Sequence, residues 1–449
     1  MNTLLQHFAR NAADPLVLVD ADGLEVIDDQ GRRHIDALSG LFCAQLGYGH
    51  KAEFAGAAAE QVNALPFATN WAVGHPPAIA LAEAVAERAP GDLDHVFFTS
   101  GGSESVEAAW KLVRQHHLAN GEPQRTKAIA RDIAYHGVTL GALSFTGVER
   151  FKTPFGRPAI EVEHVSTTNR VRAPDGDDDA ALCARLLAEM EETIERAGPE
   201  TVAMIIAEPI QNAGGCLTPP EGYWPGLREI ADRHGILLVA DEVISGFGRL
   251  GEWFASERYG VVPDLITCAK GLTSGYAPAG AVIARSSAVA GLYEPKATFL
   301  HGITFGGHPL ACALGLKSVE VFEREEVNAN VRALEGHLEA QVATLRDLPV
   351  VADTRGAGFF WAMELVKGDP ERKLDADERE ALLKGFLPQR LIEAGLIARA
   401  DDRGEPVLQI APPLVADAAA LDEIVGRLGD VLTDCGRFLG LAAPAAAGV

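Results

Sequence analysis

Short apolar segments alternate along most of the chain with longer segments in which apolar residues recur every three or four positions. The first pattern predicts strands buried in a sheet, and the second predicts helices with one apolar face. This alternation is typical of an α/β fold, in which a mostly parallel sheet has helices on both faces. We predict strands at 94–99, 127–130, 202–207, 236–240, 265–268 and 280–284, and helices at 104–119, 180–196 and 223–234.

The two ends of the chain have a different pattern. Beyond residue 320 a long helical stretch is followed by predicted strands at 359–365 and 407–410 with further helices, which indicates a smaller α+β domain. The beginning of the chain contains short segments typical of hairpins, with a turn at "DDQGRR". We therefore predict an N-terminal segment, residues 1–60, that packs with a C-terminal small domain, residues 319–449. The large domain between them is residues 61–318.

Charge and cysteine usage narrow the class of protein. The 449 residues include 39 lysines and arginines and 63 aspartates and glutamates, a formal charge of −24 at pH 7. An acidic chain disfavours nucleic acid and anionic membranes as partners. No apolar stretch approaches the ~20 residues of a membrane-spanning helix, and the N-terminus lacks the basic and apolar regions of a secretion signal. The six cysteines are scattered without a CxxC motif, which predicts reduced thiols, no metal site and a cytoplasmic protein.

Two residues that can do chemistry follow predicted strands, where the ligands of open parallel sheets bind. Lys270 comes just after the strand at 265–268, in "TCAKGLTSGY", and Asp241 follows the strand at 236–240. Taken alone, each is more often a solvated loop residue or a helix cap. The spacing of 29 residues (270 − 241) allows one crossover to a neighbouring strand ~4.8 Å away. The amine and the carboxylate can therefore meet at one small ligand.

Two further motifs lie at the ends of predicted strands. "TSGGSES", at 99–105, offers glycines, hydroxyls and helix N–H groups that can hold an anion, although an ordinary turn with a serine cap is an alternative. "AYHG" contains Tyr135 and His136, and the tyrosine can either stack on a flat ring or belong to the core. An amine for a Schiff base, a carboxylate, a phosphate cup and a stacking ring together suit pyridoxal phosphate.

The same residues lie in motifs that resemble those of class III aminotransferases, the ω-aminotransferases of pyridoxal-phosphate fold type I. The resemblance is most specific over residues 237–283, "LLVADEVISGFGRLGEWFASERYGVVPDLITCAKGLTSGYAPAGAVI". It continues through "FFTSGGSESVEAAWKLVRQ", "AYHGVTLGALSFTG", "AEPIQNAGG", "TFGGHPLACA" and "APPL", and so covers nearly the whole chain. It implies a homodimer with shared active sites, a large domain on a mostly parallel seven-stranded sheet, and a smaller α+β domain.

The resemblance also implies roles for individual residues. Lys270 corresponds to the Schiff-base lysine and Asp241 to the partner of the cofactor's ring nitrogen, with Glu208 on the same side. The other cofactor contacts that it implies are Val243 and Tyr135 on the two faces of the ring, Gly102 and Ser103 at the phosphate, and Thr304, which completes the phosphate site of the other subunit.

Some positions indicate the branch of the family. Ile244 and Ser245 stand where the ornithine and GABA branches usually have Gln-Thr, which resembles the amine:pyruvate aminotransferases. Phe42 corresponds to a pocket-wall aromatic, and together with Trp71 it suggests an apolar substrate pocket, with plain core packing as the alternative.

An arginine in the C-terminal domain is the candidate for binding a keto acid. "GLIARADDRGEPVLQIAPPL" resembles the region where the amine:pyruvate branch carries a mobile arginine for the substrate carboxylate. That residue would be Arg399, and Arg403 is close enough in sequence to be a rival. We expect "ARADDRGEP" to form a flexible loop in which Asp401 and Asp402 can hold the guanidinium outside the pocket.

The expected reaction is the transfer of an amino group from a primary amine or an ω-amino acid to pyruvate or a similar keto acid, with Lys270 as general base and acid. Transamination of taurine or a diamine remains open, as does an aminomutase or a dialkylglycine-type decarboxylase, because these activities share the lysine set. A DNA-binding regulator that senses pyridoxal phosphate would need a basic N-terminal helix-turn-helix domain, which the sequence does not supply.

Overall fold

A seven-stranded sheet forms the centre of the protein. The computed structural model describes residues 4–8, 15–174, 178–369 and 372–441. The spatial order of the strands is Leu93–Thr99, Gly280–Arg285, Leu265–Cys268, Leu237–Asp241, Val202–Ala207, Lys127–Arg131 and Glu161–Val165.

The direction of the strands decides which side chains meet. Gly280–Arg285 pairs antiparallel with both of its neighbours, and the remaining pairs are parallel. Six strands therefore point the same way, and their carboxyl ends lie at one edge of the sheet. In register, Asp241 at the end of its strand is paired with Thr267 of the next strand. The predicted α/β fold with a mostly parallel seven-stranded sheet is confirmed.

The strands that carry the site are buried on both faces. Every residue of Val202–Ala207 and of Leu265–Cys268 is buried, as the uninterrupted apolar runs predict. Helices of six or more residues cover the sheet and build the rest of the molecule. They are Lys51–Ala64, Pro76–Ala86, Gly102–Ala119, Leu140–Phe145, Asp179–Ala197, Tyr223–His234, Pro309–Arg324, Val327–Ala343, Ala376–Ala381, Leu387–Glu393 and Ala418–Phe438.

The C-terminal part has its own antiparallel sheet, and the N-terminal strands share a sheet with a C-terminal strand. The C-terminal order is Val351–Ala357, Phe360–Leu365, Val407–Ile410 and Arg399–Asp401. The other sheet contains Leu18–Asp22, Glu25–Asp28, Arg33–Asp36 and Leu396–Ile397, in which Ile35 pairs with Leu396. The division of the chain at residues 60 and 318 stays a prediction, and the helix Pro309–Arg324 runs across the second of these positions.

Three further properties concern the classes of protein considered above. Within the described ranges, no helix is long and apolar enough to cross a membrane. The same ranges contain no group of three or more His, Cys, Asp or Glu residues that could hold a metal ion. All six cysteines are free. Residues 1–3 and 9–14, on which the expectation about a secretion signal partly rests, lie outside the described residues.

Candidate active site

Lys270 lies at the carboxyl end of a buried strand and starts a short helical turn. The strand Leu265–Cys268 ends two residues earlier, and a 3-10 turn covers Lys270–Thr273. Lys270 has φ +34°, in the left-handed region that costs a non-glycine residue about 1 kcal/mol or more. Backbone strain of this kind is concentrated at functional sites, and here the strained residue lines a cavity.

The cavity brings together most of the residues that the sequence singled out. Its volume is about 140 Å³. It lies at the edge of the sheet where the parallel strands end, as expected for an open α/β sheet. Its lining residues are Gly102, Ser103, Tyr135, His136, Gly137, Glu208, Ile210, Asp241, Val243, Ile244, Ser245 and Lys270.

Asp241 is held in one orientation by its neighbours. Its Oδ1 accepts hydrogen bonds from Thr267 Oγ1 at 3.1 Å and from the Val243 amide at 3.1 Å. Its Oδ2 lies 2.7 Å from Nδ1 of His136. Because a carboxylate only accepts, Nδ1 of His136 carries the proton in this pair. No lysine or arginine of the described chain forms an ion pair with Asp241. The carboxylate is therefore fixed in place while its negative charge stays available to a ligand.

The Lys270 amine has no partner of its own. None of the described residues forms a hydrogen bond or an ion pair with Nζ of Lys270. Burial lowers the pKa of Lys270, and the positive charge of Arg399 acts in the same direction, whereas Cys43, Asp241 and Glu208 oppose it. A lowered pKa increases the fraction of neutral amine near pH 7, which is the form that attacks a carbonyl carbon.

Glycines shape the anion side of the cavity. A Cβ on Gly102 would lie 2.8 Å from Cγ1 of Val243, so glycine is needed for the first turn of the helix Gly102–Ala119 to approach Val243. A Cβ on Gly137, which has φ +113°, would meet Oγ of Ser103 at 2.3 Å. Nothing lies within 4 Å of a Cβ added to Gly101. The space in front of a helix N-terminus with free N–H groups is suited to a phosphate.

Glu208 holds the backbone that carries Tyr135. Its Oε1 accepts from the Tyr135 amide at 3.2 Å, and its Oε2 accepts from the Asn212 amide at 2.9 Å. Burial raises the pKa of Glu208 and also that of the Tyr135 phenol. The guanidinium carbon of Arg403 lies 5.1 Å from the centre of the Tyr135 ring. The tyrosine is thus fixed at its backbone by Glu208 and at its ring by a cation–π contact.

The aromatic residues predicted for the substrate pocket do not line this cavity. Phe42 is buried and packs edge-on against Phe360 at 5.5 Å between ring centres. Trp71 is 69% exposed, and a Cβ on Gly302 would lie 3.1 Å from its ring. Their roles in a substrate pocket stay predictions, and the alternative of core packing describes the position of Phe42 in this protomer.

Thr304 is exposed and is not among the residues that line the cavity at Lys270. It belongs to a surface segment in which Leu300 and Phe305 are also exposed. Beside this segment is a wide apolar cavity of about 1040 Å³, which includes Trp71 and Phe97 and is separate from the one at Lys270. Exposed apolar side chains that lie together on a surface are a feature of protein–protein interfaces.

The structure corrects part of the expectation of a loop at "ARADDRGEP", because residues 402–406 form a loop and residues 399–401 do not. Arg399–Asp401 is a strand paired with Val407–Ile410. Asp401 pairs with Arg403 and lies 4.0 Å from Nε of Arg399, and Asp402 pairs with Arg150. That these aspartates hold Arg399 outside the pocket stays a prediction. The glycine and the proline of the motif, Gly404 and Pro406, lie in the loop that connects these two strands.

Two contacts in the site were not anticipated from the sequence. His136 was noted only as a part of "AYHG", and it is the residue that orients Asp241. Thr267, inside an apolar strand, donates to the same carboxylate. The signal for Thr267 is its place opposite Asp241 in a parallel register, and that signal is usable once the two strands are known to be neighbours.

The comparison with known proteins identifies the family. The model of the class-III aminotransferases matches residues 7–432, and the chain belongs to this family. A probable aminotransferase of Mycobacterium tuberculosis is 48% identical over 96% of this chain and 93% of its own length. The putrescine–pyruvate aminotransferase of Pseudomonas aeruginosa is 38% identical over 91% of this chain and 88% of its own length. Other relatives are named diaminobutyrate–2-oxoglutarate and γ-aminobutyrate transaminases.

Solved structures agree with this assignment. An (S)-enantioselective ω-transaminase from Thermomicrobium roseum is 38% identical and superposes with a TM-score of 0.92 over 96% of each chain. The fold is therefore that of the pyridoxal-phosphate enzymes of fold type I. Class III aminotransferases are dependent on pyridoxal phosphate and transfer an amino group from an amine donor to a keto acid.

The residues present fit this cofactor. An amine without a partner suits an aldehyde, and the oriented carboxylate of Asp241 suits a ring N–H. The open space beside Gly101 at the start of an 18-residue helix suits a phosphate.

Proposed function

We propose that this enzyme is an ω-transaminase of the amine:pyruvate type, which takes the amino group from a primary amine or an ω-amino acid and gives it to pyruvate. A cytoplasmic homodimer with shared active sites belongs to the same proposal. The observation that carries it is the guanidinium of Arg399, which has no hydrogen-bond partner within the described ranges and acts electrostatically on Lys270. An arginine near the reacting amine whose N–H groups have no hydrogen-bond acceptor is suited to a small keto-acid carboxylate.

The residues that line the cavity would have separate roles in binding and activating the cofactor. When bound, pyridoxal phosphate supplies an aldehyde that takes up the amino group and a ring that accepts electrons. Nζ of Lys270 would hold the aldehyde carbon, and Asp241 would keep the ring nitrogen protonated. The remaining groups would hold and orient the cofactor: Gly102 and Ser103 at the phosphate, Tyr135 and Val243 at the ring faces, and Glu208 through the backbone of Tyr135.

Lys270 also moves the proton. Once its amine is free, Nζ takes a proton from the carbon that bears the donor's amino group and later returns one as an acid. The lowered pKa of Lys270 suits both directions, because a group that titrates closer to the working pH is effective as a base and as an acid. Ile210 and Ile244 line the same cavity and would offer apolar contacts to the donor.

The choice between the two arginines follows from their partners. The side chain of Arg403 is 3% exposed and is bound to Asp401 through two contacts of 2.9 Å. The side chain of Arg399 is 27% exposed, and its Nε lies 4.0 Å from the same aspartate. Burial, together with the charge of Arg403, lowers the pKa of Arg399 to about 10. Of the two, Arg399 is the one whose guanidinium can take a second carboxylate.

Arg399→Ala is expected to raise the KM for pyruvate at least ~10-fold, or ~1.4 kcal/mol, because the carboxylate loses a charge-assisted contact. The half-reaction with an amine that has no carboxylate should change little. Steady-state kinetics with pyruvate and single-turnover kinetics with 1-phenylethylamine measure the two effects separately. An equal fall in both half-reactions would make Arg399 a structural residue, and a selective loss in Arg403→Ala alone would assign the carboxylate to Arg403.

Thr304 is expected to complete the phosphate site of the other subunit. Thr304→Ala should weaken cofactor retention about tenfold, because a hydroxyl bonded to a phosphate is lost. Dialysis of the holoenzyme against buffer without cofactor, followed by absorbance of the retained cofactor, measures this. Thr344→Ala, the same change at a surface position, is the matched control.

A mixed dimer tests whether Thr304 contributes to the active site of its own subunit or to that of the other subunit. A dimer of one Lys270→Ala subunit and one Thr304→Ala subunit has one intact site if Thr304 acts across the interface, and should show about half of the wild-type activity at limiting cofactor. If Thr304 acts within its own subunit, no site is intact. An active monomer in sedimentation would also refute the shared site.

The substrate class is tested with a panel of donors. β-Alanine, taurine, putrescine and 1-phenylethylamine are each offered with pyruvate, and the alanine formed is measured. Alanine from at least one amine without an α-carboxylate supports the proposal. Turnover with 2-oxoglutarate and none with pyruvate would place the enzyme with the diaminobutyrate–2-oxoglutarate transaminase instead. Release of CO₂ or a shifted amino group would indicate the decarboxylase or aminomutase alternative.

A further inference from the structure

One aspartate lies between two arginines at the edge of the candidate active site. Asp401 and Arg403 are both buried, and the pair is made by two contacts of 2.9 Å from Nε, a third from Nη2, and a 3.0 Å bond from the Arg403 amide. Burial alone would raise the pKa of Asp401, but the hydrogen bonds and the charge of Arg403 hold that pKa below its ordinary value. Asp401 is thus an ionised carboxylate occupied by one arginine.

The other arginine stays available because of this pairing. Arg399 approaches Asp401 only to 4.0 Å, and none of the described residues accepts a hydrogen bond from it. Asp402, the next aspartate along the chain, is taken by Arg150 and lies 3.8 Å from Lys384. The group of Arg399, Asp401 and Arg403 therefore has two positive charges and one negative charge, which leaves one positive charge for an incoming carboxylate.

Arg403 is also held from a second side. Its guanidinium carbon lies 5.1 Å from the centre of the Tyr135 ring, so the contact with Asp401 and the ring contact fix the same planar group. Moving a buried arginine out of both contacts costs free energy, because the buried carboxylate is then left without a partner. Arg403 is a fixed cation next to Arg399, whose side chain is 27% exposed and whose Nε lies 4.0 Å from Asp401.

We propose that Arg403 is a positioning residue for the keto-acid substrate: by occupying Asp401 it prevents that aspartate from capturing Arg399, and so keeps Arg399 free to bind the substrate carboxylate. This inference rests on the proposed role of Arg399. Without Arg403, the nearest partner for the ionised Asp401 is Arg399, and the resulting ion pair competes directly with pyruvate.

Removing and then restoring the charge balance tests the inference. In the holoenzyme, Arg403→Met should raise the KM for pyruvate about tenfold, because Asp401 now pairs with Arg399. The double variant Asp401→Asn/Arg403→Met removes the competitor and should return KM to within about threefold of the wild-type value. A residue that only supports the local structure would not be rescued by a second change.

Binding provides a second measurement that does not depend on turnover. Propionate has the size and the carboxylate of pyruvate but no keto group, and its dissociation constant for the holoenzyme can be measured by calorimetry. We expect propionate to bind about tenfold more weakly to Arg403→Met than to the wild type, and to bind to the double variant about as tightly as to the wild type. Asp402→Asn is the matched control. It removes the same negative charge at the next residue, whose carboxylate pairs with Arg150 and not with Arg399, and it should leave propionate binding unchanged.

The outcomes separate the two proposals. If Arg399→Ala binds propionate as well as the wild type, the carboxylate role of Arg399 is wrong. If Arg399→Ala loses propionate while Arg403→Met retains it, the role of Arg403 is wrong. Equal weakening in the single and double variants also overturns the inference. Should Arg403→Met fail to fold, Arg403→Lys carries the test, since lysine keeps the charge but not the forked contact and should give about threefold weaker binding that Asp401→Asn reverses.

Discussion

Lys270→Ala is expected to reduce transamination at least about 10⁴-fold while leaving the protein folded. The loss is large because the amine that would hold the cofactor and the group that would move the proton are the same atom, Nζ. The fold should survive because Nζ has no hydrogen-bond or ion-pair partner among the described residues. Alanine at φ +34° is strained to a similar degree as lysine. Borohydride reduction followed by mass spectrometry of the peptide should show an adduct on Lys270 in the wild type and none in the variant.

A second buried lysine provides the control for this experiment. Lys152 is also largely buried, but it lies outside the cavity and has Glu149 at 3.6 Å. Lys152→Ala should keep the borohydride-reducible adduct at Lys270. A Lys270→Ala protein with wild-type turnover, or an adduct that moves with Lys152, would overturn the assignment of the cavity.

The positions of Lys270 and Asp241 could be predicted because strand ends are a local property of the sequence. A short apolar run gives the strand, the next polar residue gives its end, and parallel pairing places successive ends at one edge. The register pairs Asp241 with Thr267, three residues before Lys270, as this logic requires. The same reasoning recovered the motifs at Gly102 and Tyr135, which line the same cavity.

Elements without a local signal were missed. The edge strand Glu161–Val165 has the sequence EVEHV and is half-buried, so no apolar run marks it. The contact between His136 and Asp241 joins residues 105 positions apart, and only the sheet order brings them together. These features depend on pairing between distant segments, which the pattern of apolar residues does not encode.

The segment after Arg399 shows a different reason for error. Glycine and proline favoured a loop over the whole motif, but only residues 402–406 form one, because backbone pairing with Val407–Ile410 makes residues 399–401 a strand. The partners of Asp401 and Asp402 depended on side-chain directions across three elements, so the sequence could name the charges but not their pairing. Thr304 and Trp71 are exposed in the protomer, and the sequence marks them only through resemblance, so their proposed roles have no signal in the pattern of the chain itself.

Asp241→Asn is expected to lower the rate of the first half-reaction by about 10²- to 10⁴-fold while part of the cofactor binding remains. Asparagine has nearly the same shape, so its oxygen can still accept from Thr267 and from the Val243 amide. What it loses is the negative charge that would keep the ring nitrogen protonated. Single-turnover kinetics at saturating amine measure the rate, and retention of cofactor on dialysis measures the binding.

A second buried carboxylate in the cavity, Glu208, tests whether the rate depends on the charge at Asp241 in particular or on any negative charge in the cavity. Glu208 accepts from two backbone amides, and a glutamine oxygen can keep one of these bonds, so Glu208→Gln should lose much less rate than Asp241→Asn. His136 gives a further check, because His136→Phe leaves the charge of Asp241 but removes the contact at Oδ2 that orients it. We expect the His136 variant to be slowed less than Asp241→Asn. Near-wild-type kinetics in Asp241→Asn, or an equal loss in Glu208→Gln, would contradict the role of Asp241, because in either case the rate would not depend on a charge at that one position.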